Sequence, residues 1–532
     1  MKNFYDKVSL ALKEILNKDF DIELNPPLWE LPQRLEFGDL SSMVALRLAS
    51  KLKEDPLQIA GKIKLRLAEV LVGSVKDIEV LKPGFINIFI SVDVLKDSLN
   101  EVLEKESDFF RHNFRKKVLI EFLSANPTGP LSIAHGRQAV VGDSVAKVLE
   151  FCGNTVEREY YLNDAGRQIE LFKESLLVRL GQLKGEDVAL SEGGYKGQYI
   201  EDIAKKYLEE KKTSDISKFG IGTMIDLIKE DLKNLGIKKF DKWFSQKEII
   251  NNKTVEAAIK DLKAKDLIYE KDGALWFSAT KFGDDKDRVI KKADGELTYF
   301  ASDIAYHRDK AKRKFGQLIN LWGPDHHGYI KRVKTALTAL GFKEEILKVI
   351  IIQLVTLKTK ERMSKRAGTF VLLSELINNV GKDATRFYYL MRKNSSHLEF
   401  DIDLAKQTSF DNPLYYIQYV CARINSIFTK AEIASFDQNY TQYLSKEEEF
   451  DLLRTLLQFS YCLEKAYYSL EPVFIIEFLK NLASAFHKFY EKVKVIDKDN
   501  NLTLARSNLL KAVLIVFHSG LNLLGIKPVE KM

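Results

Sequence analysis

The sequence has 532 residues, of which 45% are hydrophobic, and a formal net charge of +7. No uncharged apolar run approaches the roughly 20 residues that a membrane span needs. Cys152, Cys421 and Cys462 are too far apart in sequence for a disulfide framework or a zinc site. These features argue against an integral membrane protein and against a disulfide-rich secreted one. We expect a multidomain globular protein of the cytoplasm that has no membrane partner.

The first segment, residues 1–106, is predicted to form a small α+β domain. It begins with charged and apolar residues at helical spacing and ends in the alternating run 85-FINIFI-90, after the turn 82-KPG-84. The charged stretch that follows lacks sustained apolar periodicity. We interpret that stretch as a linker.

The central segment, residues 115–394, contains short apolar runs separated by helical stretches. The runs are 118-VLIEF-122, 156-VEREYY-161, 318-LINLW-322 and 348-KVIIIQL-354. This alternation is typical of parallel βαβ units and predicts a Rossmann-type α/β domain. About 150 residues separate the second run from the third, too many for one crossover helix. We therefore predict an inserted subdomain at about 178–275.

The last segment, residues 395–532, loses the strand pattern and is predicted to form an all-α bundle. Apolar residues recur there at intervals of three and four. They are Leu510, Val513, Leu514, Phe517, Leu521 and Leu524.

A candidate phosphate site lies where the run 118–122 leads through a loop into a helix. The loop contains two prolines and a glycine, and His135 lies in the first turn of the predicted helix. Free N–H groups and the helix dipole favour an anion at such a terminus, and His135 can donate a hydrogen bond to a phosphate oxygen. A hydrogen bond that closes the helix end would equally explain this histidine.

A short basic loop, 361-ERMSKRAGTF-370, follows the last predicted strand. Lys365 would neutralise charge that builds on a departing pyrophosphate, which stabilises mainly the transition state. Taken alone, the loop also fits a solvated basic segment.

The two pieces together resemble the HIGH and KMSK sequences of class I aminoacyl-tRNA synthetases. Further segments resemble the bacterial arginyl-tRNA synthetase family: ANPTGPL, 161-YLNDAGRQ-168, 284-DDKDRVI-290, 299-YFASDIAYH-307, 322-WGPDHHGY-329 and RMSKRAGTF. The resemblance extends over nearly the whole chain. FGDLSS and KPGFINI resemble that family's N-terminal domain, and 411-DNPLYYIQYVCARI-424 and the final residues resemble its anticodon-binding bundle.

The chain departs from the family pattern at three motif positions. Ser132 and Ala134 stand where the first motif normally has His and Gly, and Arg362 stands for the first lysine of the second motif. Ser132 can donate one hydrogen bond but carries no imidazolium charge. Lys365 is intact, so we assign it the main chemical role.

The resemblance implies a set of site residues. For catalysis these are His135, Lys365, Arg362 and Ser132. For ATP they are Pro130, Ala134, His135, Gly136, Asp325, Met363, Ser364 and Lys365. For arginine they are Glu121, Ser124, Asn126, His135, Tyr299, Asp303 and His327.

Tyr299 and Asp303 can also be selected from the residues themselves. A planar guanidinium is best bound by a carboxylate, and these two side chains, four positions apart, would share one face of a helix. The alternative is a helix-capping aspartate beside a core tyrosine. The resemblance implies that Asp325, His326 and His327 are candidates for contact with ribose and arginine. They could instead suggest a metal site, but no further ligand follows at recognisable spacing, so we predict no structural metal.

The resemblance implies that L-arginine, ATP with Mg²⁺ and an arginine tRNA are the partners of a monomeric enzyme. The carboxylate of arginine would attack the α-phosphorus of ATP, and a terminal ribose hydroxyl of the tRNA would then accept the arginyl group. The C-terminal helices would face the anticodon. The N-terminal domain would contact the outer corner of the tRNA. The Lys-rich insertion and 415-YYIQY-419 fit RNA binding, a solvated face or a packed core.

Two alternatives remain open at this point. One is another class I synthetase, such as the glutamyl or cysteinyl enzyme; a glutamate pocket should present cations, and a cysteine enzyme should show zinc ligands. The other is a catalytically inactive paralogue that binds tRNA. Ser132 and Arg362 make the second alternative conceivable.

Overall fold

The computed structural model describes residues 4–24, 26–32, 34–210, 215–251, 253–358, 371–433 and 436–532. The chain divides into two compact units. One combines Met1–Asn113 with Gln407–Met532, and the other is Phe114–Lys406. The predicted division into three domains at 106, 115 and 394–395 stays a prediction.

The N-terminal part of the first unit is the expected α+β module. Its elements are α1 (Phe4–Phe20), β1 (Leu40–Ser42), α2 (Val44–Leu52), α3 (Pro56–Val70), β2 (Val75–Leu81), β3 (Phe85–Ile90) and α4 (Val92–Lys105). The strands form an antiparallel sheet in the order β1-β3-β2. Alternation along β3 buries Ile86, Ile88 and Ile90 in one core, as the sequence pattern predicts.

A five-stranded parallel sheet forms the centre of the second unit. Its strands are β4 (Lys117–Glu121), β5 (Thr155–Leu162), β6 (Lys242–Ser245), β10 (Gln317–Trp322) and β11 (Leu347–Ile351), in the order β11-β10-β4-β5-β6. The four predicted strands and the Rossmann-type architecture are confirmed. β6 was missed because it has only four residues. It lies within the range predicted for the insertion.

Helices and smaller sheets surround the central sheet in the second unit. The helices are α5 (Ile133–Phe151), α6 (Arg167–Leu183), α7 (Gln198–Glu210), α8 (Ile216–Asn234), α9 (Gln246–Asn251), α10 (Thr254–Lys263), α11 (Tyr299–Lys312), α12 (Ile330–Ala339), α13 (Leu373–Val380), α14 (Lys382–Leu390) and α15 (Ile402–Ala405). The remaining strands are β7 (Ile268–Lys271), β8 (Ala274–Phe277), β9 (Arg288–Lys291), β12 (Val355–Lys358) and β13 (Leu398–Asp401). β7, β8 and β9 pair as an antiparallel sheet, and β12 pairs with β13 in parallel.

The C-terminal part of the first unit is helical, as predicted. It consists of α16 (Pro413–Lys430), α17 (Glu447–Leu457), α18 (Phe459–Ser469), α19 (Val473–Lys492) and α20 (Asn500–Leu523). All six apolar residues selected for their spacing near α20 are buried. Asn412 starts α16 by accepting a hydrogen bond from the Leu414 N–H at 3.0 Å, and Pro413 occupies the first helical position.

Polar contacts join the two parts of the first unit. Arg454 on α17 lies 3.3 Å from the carboxylate of Asp39, and Lys96 on α4 donates to the Gln442 carbonyl at 3.0 Å. The N-terminal module and the C-terminal helices therefore pack as one unit. In the described part of the chain, no helix is both long enough and apolar enough to cross a membrane.

Candidate active site

The turn that leaves β4 has an uncommon backbone conformation. Leu123 and Ser124 have φ values of 72° and 45°, a region that side-chain-bearing residues seldom occupy. The Ser124 hydroxyl accepts a hydrogen bond from the Tyr161 N–H at 3.1 Å and donates to Glu121 Oε1 at 3.4 Å. Such strain persists where surrounding contacts hold it, and it concentrates at ligand sites.

His135 closes the first turn of α5 through one ring nitrogen. The Ser132 backbone N–H donates to His135 Nδ1 at 3.1 Å, and the Ser132 hydroxyl lies 3.2 Å from the same nitrogen. Burial lowers the pKa of His135, so the ring is neutral at pH 7. Because Nδ1 accepts a hydrogen bond, the proton of the neutral ring is on Nε2. The two interpretations of this histidine are therefore compatible: Nδ1 closes the helix end while Nε2 is a donor.

Gly136 brings α5 close to two other helices. A Cβ atom at this position would lie 2.5 Å from Leu373 Cδ1 on α13 and 2.8 Å from Tyr389 Oη on α14. The glycine is thus explained by helix packing. Pro130 and Ala134 are partly buried nearby, and the ATP contacts of all three residues stay predictions.

Arg362, Met363, Ser364 and Lys365 lie outside the described residues. The chain that follows them is hydrogen-bonded to the start of α5. The Ile133 N–H donates to the Val371 carbonyl at 3.2 Å, and the Leu373 N–H donates to the Leu131 carbonyl at 2.8 Å. Residues next to the second motif are thereby held beside the first motif.

A cavity of about 460 Å³ contains the predicted arginine pocket. Its lining includes Asn126, Tyr299 and Asp303, and also His326, one of the three candidates in the segment 325–327. It further includes residues that the sequence reasoning did not select: Tyr161, Asn163, Ala165, Arg167, Gln168, Gln246 and Tyr329. Tyr299 and Asp303 lie on α11, as their spacing predicts. The capping alternative is wrong for Asp303, because Thr298 caps this helix, and Tyr299 is 72% exposed rather than a core residue.

Asp303 combines a carboxylate with an apolar setting. The Tyr329 hydroxyl donates to Asp303 Oδ2 at 2.5 Å. Burial raises the pKa of Asp303 to about 6, and the negative charge of Glu121 adds to this rise. The hydrogen bond from Tyr329 and the positive charge of Lys310 both oppose it. Near pH 7 the group is mostly ionised and can bind a cation.

Asn126 is held by two polar side chains that follow β5. Asn163 Nδ2 donates to Asn126 Oδ1 at 2.7 Å, and Asn126 Nδ2 donates to Gln168. Both partners lie in the quoted segment 161–168. Their position after a parallel strand, at the edge where ligands bind in open α/β sheets, was the signal that could have found them.

Four of the residues predicted to bind arginine, Glu121, Ser124, His135 and His327, are not among those that line this cavity. Glu121 is buried behind it and accepts hydrogen bonds from Tyr306, at 2.9 Å, and from Lys310. Asp325 and His327 are exposed on the short helix Pro324–Tyr329, from which His326 reaches the cavity. Among the residues described, no group of three or more His, Cys, Asp or Glu side chains is arranged to hold a metal ion.

Three family models together match most of the chain. Family models match residues 2–90 (arginyl tRNA synthetase N terminal domain), 98–408 (tRNA synthetases class I (R), catalytic domain) and 417–532 (DALR anticodon binding domain). The arginine–tRNA ligase of Thermotoga maritima is 41% identical over 541 residues, which cover 98% of each chain. That of Desulfosudis oleivorans is 42% identical and covers 96% of this chain and 95% of its own.

A solved structure supports the same fold. Thermus thermophilus arginyl-tRNA synthetase aligns with a TM-score of 0.81 at 20% identity, over 99% of this chain and 100% of that one. At this identity the likeness concerns the fold alone. The family models and the curated relatives, which extend over nearly the whole chain, decide the family. The chain belongs to the arginyl-tRNA synthetase family.

Proposed function

We propose that this protein attaches L-arginine to its tRNA, with ATP as the energy source and arginyl-adenylate as the intermediate. The observation that carries the proposal is the cavity that contains Asn126, Tyr299 and Asp303. Asn126 belongs to the same turn that leads into the N-terminus of α5. A pocket that contains the Asp303 carboxylate and a candidate phosphate-binding helix end therefore adjoin through this turn, as adenylate formation from a cationic amino acid requires.

Arginine would bind with its guanidinium on Asp303. A carboxylate pairs side-on with the planar guanidinium, and the exposed ring of Tyr299 can cover one face of it. The paired amides of Asn126 and Asn163 suit the amino and carboxylate groups of the substrate. Ser124, Glu121 and His135 would complete this site, and the cavity favours His326 rather than His327 from the segment after β10.

ATP would place its phosphates at the start of α5. His135 Nε2 is a donor for phosphate oxygens, and the positive end of the α5 dipole favours them. Mg²⁺ would enter with ATP as part of the substrate. Pro130, Ala134, Gly136 and Asp325 would contact the nucleotide, and Arg362, Met363, Ser364 and Lys365 would act on the triphosphate.

The reaction would need positioning and charge stabilisation, with no protein nucleophile. The substrate carboxylate attacks the α-phosphorus, pyrophosphate leaves, and the terminal ribose 2′-hydroxyl of the tRNA then takes the arginyl group. Donors that are fixed before the reaction stabilise the charge that develops on the phosphate oxygens. In this scheme Ser132 acts chiefly through its backbone N–H, which orients the His135 ring.

The tRNA would contact both parts of the first unit, with the anticodon on the C-terminal helices. A cavity of about 480 Å³ there is lined by Arg423, Lys430 and Lys531 beside Tyr419. Cationic side chains next to an aromatic ring suit phosphates and an unstacked base. We further propose that the protein is a cytoplasmic monomer.

Pyrophosphate exchange with each amino acid in turn, in the presence and absence of total tRNA, tests the proposal. Arginine alone should stimulate exchange, and only when tRNA is present. Stimulation by a different amino acid would assign another specificity. Binding of tRNA without exchange by any amino acid would identify an inactive paralogue.

A further inference from the structure

A buried ionic network lies behind the arginine cavity. Glu121, Glu159 and Asn320 occupy one rung of the central sheet, because Asn320 pairs with Glu121 and Glu121 pairs with Glu159 in register. Neighbouring strands are about 4.8 Å apart, so two carboxylates on one rung repel each other strongly when buried. Something must compensate their charge.

The compensation comes from one face of α11. Tyr306 and Lys310 are one helical turn apart on α11, and Arg313 follows directly after its last turn. Lys310 Nζ pairs with Glu121 Oε2, and Arg313 Nη2 lies 2.7 Å from Glu159 Oε2. Each acid therefore has its own cation.

The Tyr306 hydroxyl lies between the two acids. It is 2.9 Å from Glu121 Oε2 and 2.7 Å from Glu159 Oε1. A hydroxyl carries one proton and can donate to one acceptor at a time. Tyr306 alone cannot satisfy both carboxylates at once, and Lys310 is the cation that pairs with Glu121.

Lys310 is fully buried and has two oriented contacts. Besides Glu121, it donates to Asn320 Oδ1 at 3.0 Å, and its side chain has no exposed surface. A buried ion pair is seldom the most stable solution, since well-packed apolar residues often serve as well or better. Fold stability alone therefore explains this lysine poorly.

Two chains of contacts lead from Lys310 to the cavity. Through Glu121, the first reaches Ser124, whose strained turn continues to Asn126. Through Asn320, the second reaches His307 Nε2 at 2.9 Å, and His307 Nδ1 donates to the Asp303 carbonyl at 2.8 Å. Both chains end at residues that line the cavity.

We propose that Lys310 is a positioning residue for arginine binding: it holds the Glu121 side chain with Oε1 directed towards Ser124 and the substrate turn. Lys310 itself does not touch the substrate. This inference rests on the proposed function, because it assumes that the amino acid in the cavity is arginine.

The first test replaces Lys310 with a neutral side chain of similar length. For Lys310→Met we expect the KM for arginine to rise about tenfold or more, the cost of an unpaired carboxylate, while the KM for ATP stays within about twofold. Lys310→Arg should restore part of the affinity. The matched control is Lys312→Met, which removes an exposed lysine of the same helix that pairs with Asp261; its kinetics should equal those of the wild type.

A double-mutant cycle tests whether Lys310 acts through Glu121. If it does, Lys310→Met should raise the arginine KM by less than about twofold when Glu121 has already been replaced by Gln. The inference would be overturned if the effects of the two substitutions on the arginine KM were independent and additive. It would also be overturned if Lys310→Met changed the KM for arginine and the KM for ATP equally. If Lys310→Met does not fold, Glu121→Gln/Lys310→Met removes both charges, and its arginine KM is compared with that of Glu121→Gln alone.

The outcomes separate this inference from the proposed function. A wild-type protein without arginine-dependent exchange would contradict the proposed function. An active wild type and a folded Lys310→Met variant with unchanged arginine KM would contradict the role of Lys310 alone.

Discussion

At the scale of single residues, the site depends on which atom of each polar side chain is already engaged. His135 uses Nδ1 within the helix end and retains Nε2 as a donor. Asn126 is oriented by Asn163 and Gln168 on either side of its amide. Side chains held in this way lose little entropy on binding, which favours a precise substrate geometry.

The contact between Ser132 and His135 predicts unequal effects of two alanine variants. Ser132→Ala keeps the backbone N–H that orients the ring, so kcat should stay within about fivefold of the wild type. His135→Ala removes the phosphate donor and should lower kcat by about 100-fold. Single-turnover adenylate formation measures both. A Ser132→Ala loss as large as that of His135→Ala would show that the hydroxyl, not the backbone, is essential.

The pKa of Asp303 predicts a pH dependence of arginine binding. Its value of about 6 means that the carboxylate, the form that binds guanidinium, is lost as the pH falls through 6. At pH 5 only about a tenth of the groups are ionised, so the Kd for arginine should be about tenfold higher than at pH 7.5. Titration calorimetry between pH 5 and 8 measures this. Asp303→Asn should bind weakly with little pH dependence, and a wild-type Kd that is constant over this range would contradict the assignment.

At the scale of elements, glycines let α5 approach its neighbours. A Cβ at Gly142 would lie 2.2 Å from the Phe122 ring, and one at Gly136 would meet α13 and α14. The position of α5 therefore depends on positions where even one methyl group is too large. The same packing sets the direction of the N-terminus of α5, which is the proposed phosphate site.

Gly136→Ala should consequently destabilise the protein, by about 1–3 kcal/mol from overpacking. The control is Gly222→Ala on α8, where no atom lies within 4 Å of the added methyl group. That change should stabilise by about 0.5–1 kcal/mol because alanine favours helix. Calorimetric unfolding of both variants checks the prediction. Equal midpoints would show that α5 can shift without cost.

At the scale of the whole molecule, the ends of the sequence belong to one unit. Asp39 in the N-terminal module is buried, accepts the Ile90 N–H at 2.7 Å and pairs with Arg454 of α17. Burial raises the pKa of Asp39, and both contacts oppose that rise. The C-terminal helices thus supply the cation that a buried acid of the N-terminal module requires.

Removal of that cation should weaken the first unit. Arg454→Met leaves Asp39 without its ion pair, and we expect a loss of about 1–2 kcal/mol, reduced from the cost of a fully buried pair because Arg454 is partly exposed. Lys488→Met, which removes an exposed cation 3.7 Å from Asp451, is the control and should change little. Thermal unfolding followed by circular dichroism compares them. Identical midpoints would show that the two parts of the unit do not depend on this pair.

Local sequence patterns were enough to predict the fold class and the shared position of two residues of the site. Strands β4, β5, β10 and β11 and the C-terminal helices follow from local hydrophobic periodicity, and Tyr299 and Asp303 share a cavity because four residues make about one helical turn. Such patterns depend on near neighbours in sequence and can be read without the fold.

The contacts between residues far apart in sequence could not be predicted without the folded structure. β6 joins the central sheet by pairing with β5, although it is too short to stand out in the sequence. Lys310 reaches Glu121 across 189 positions, and Tyr329 reaches Asp303 from a different element. These contacts follow from strand order and from the way α11 lies on the sheet. That arrangement is set by the packing of the whole core rather than by any local pattern, so the support behind the arginine pocket became visible only in the folded chain.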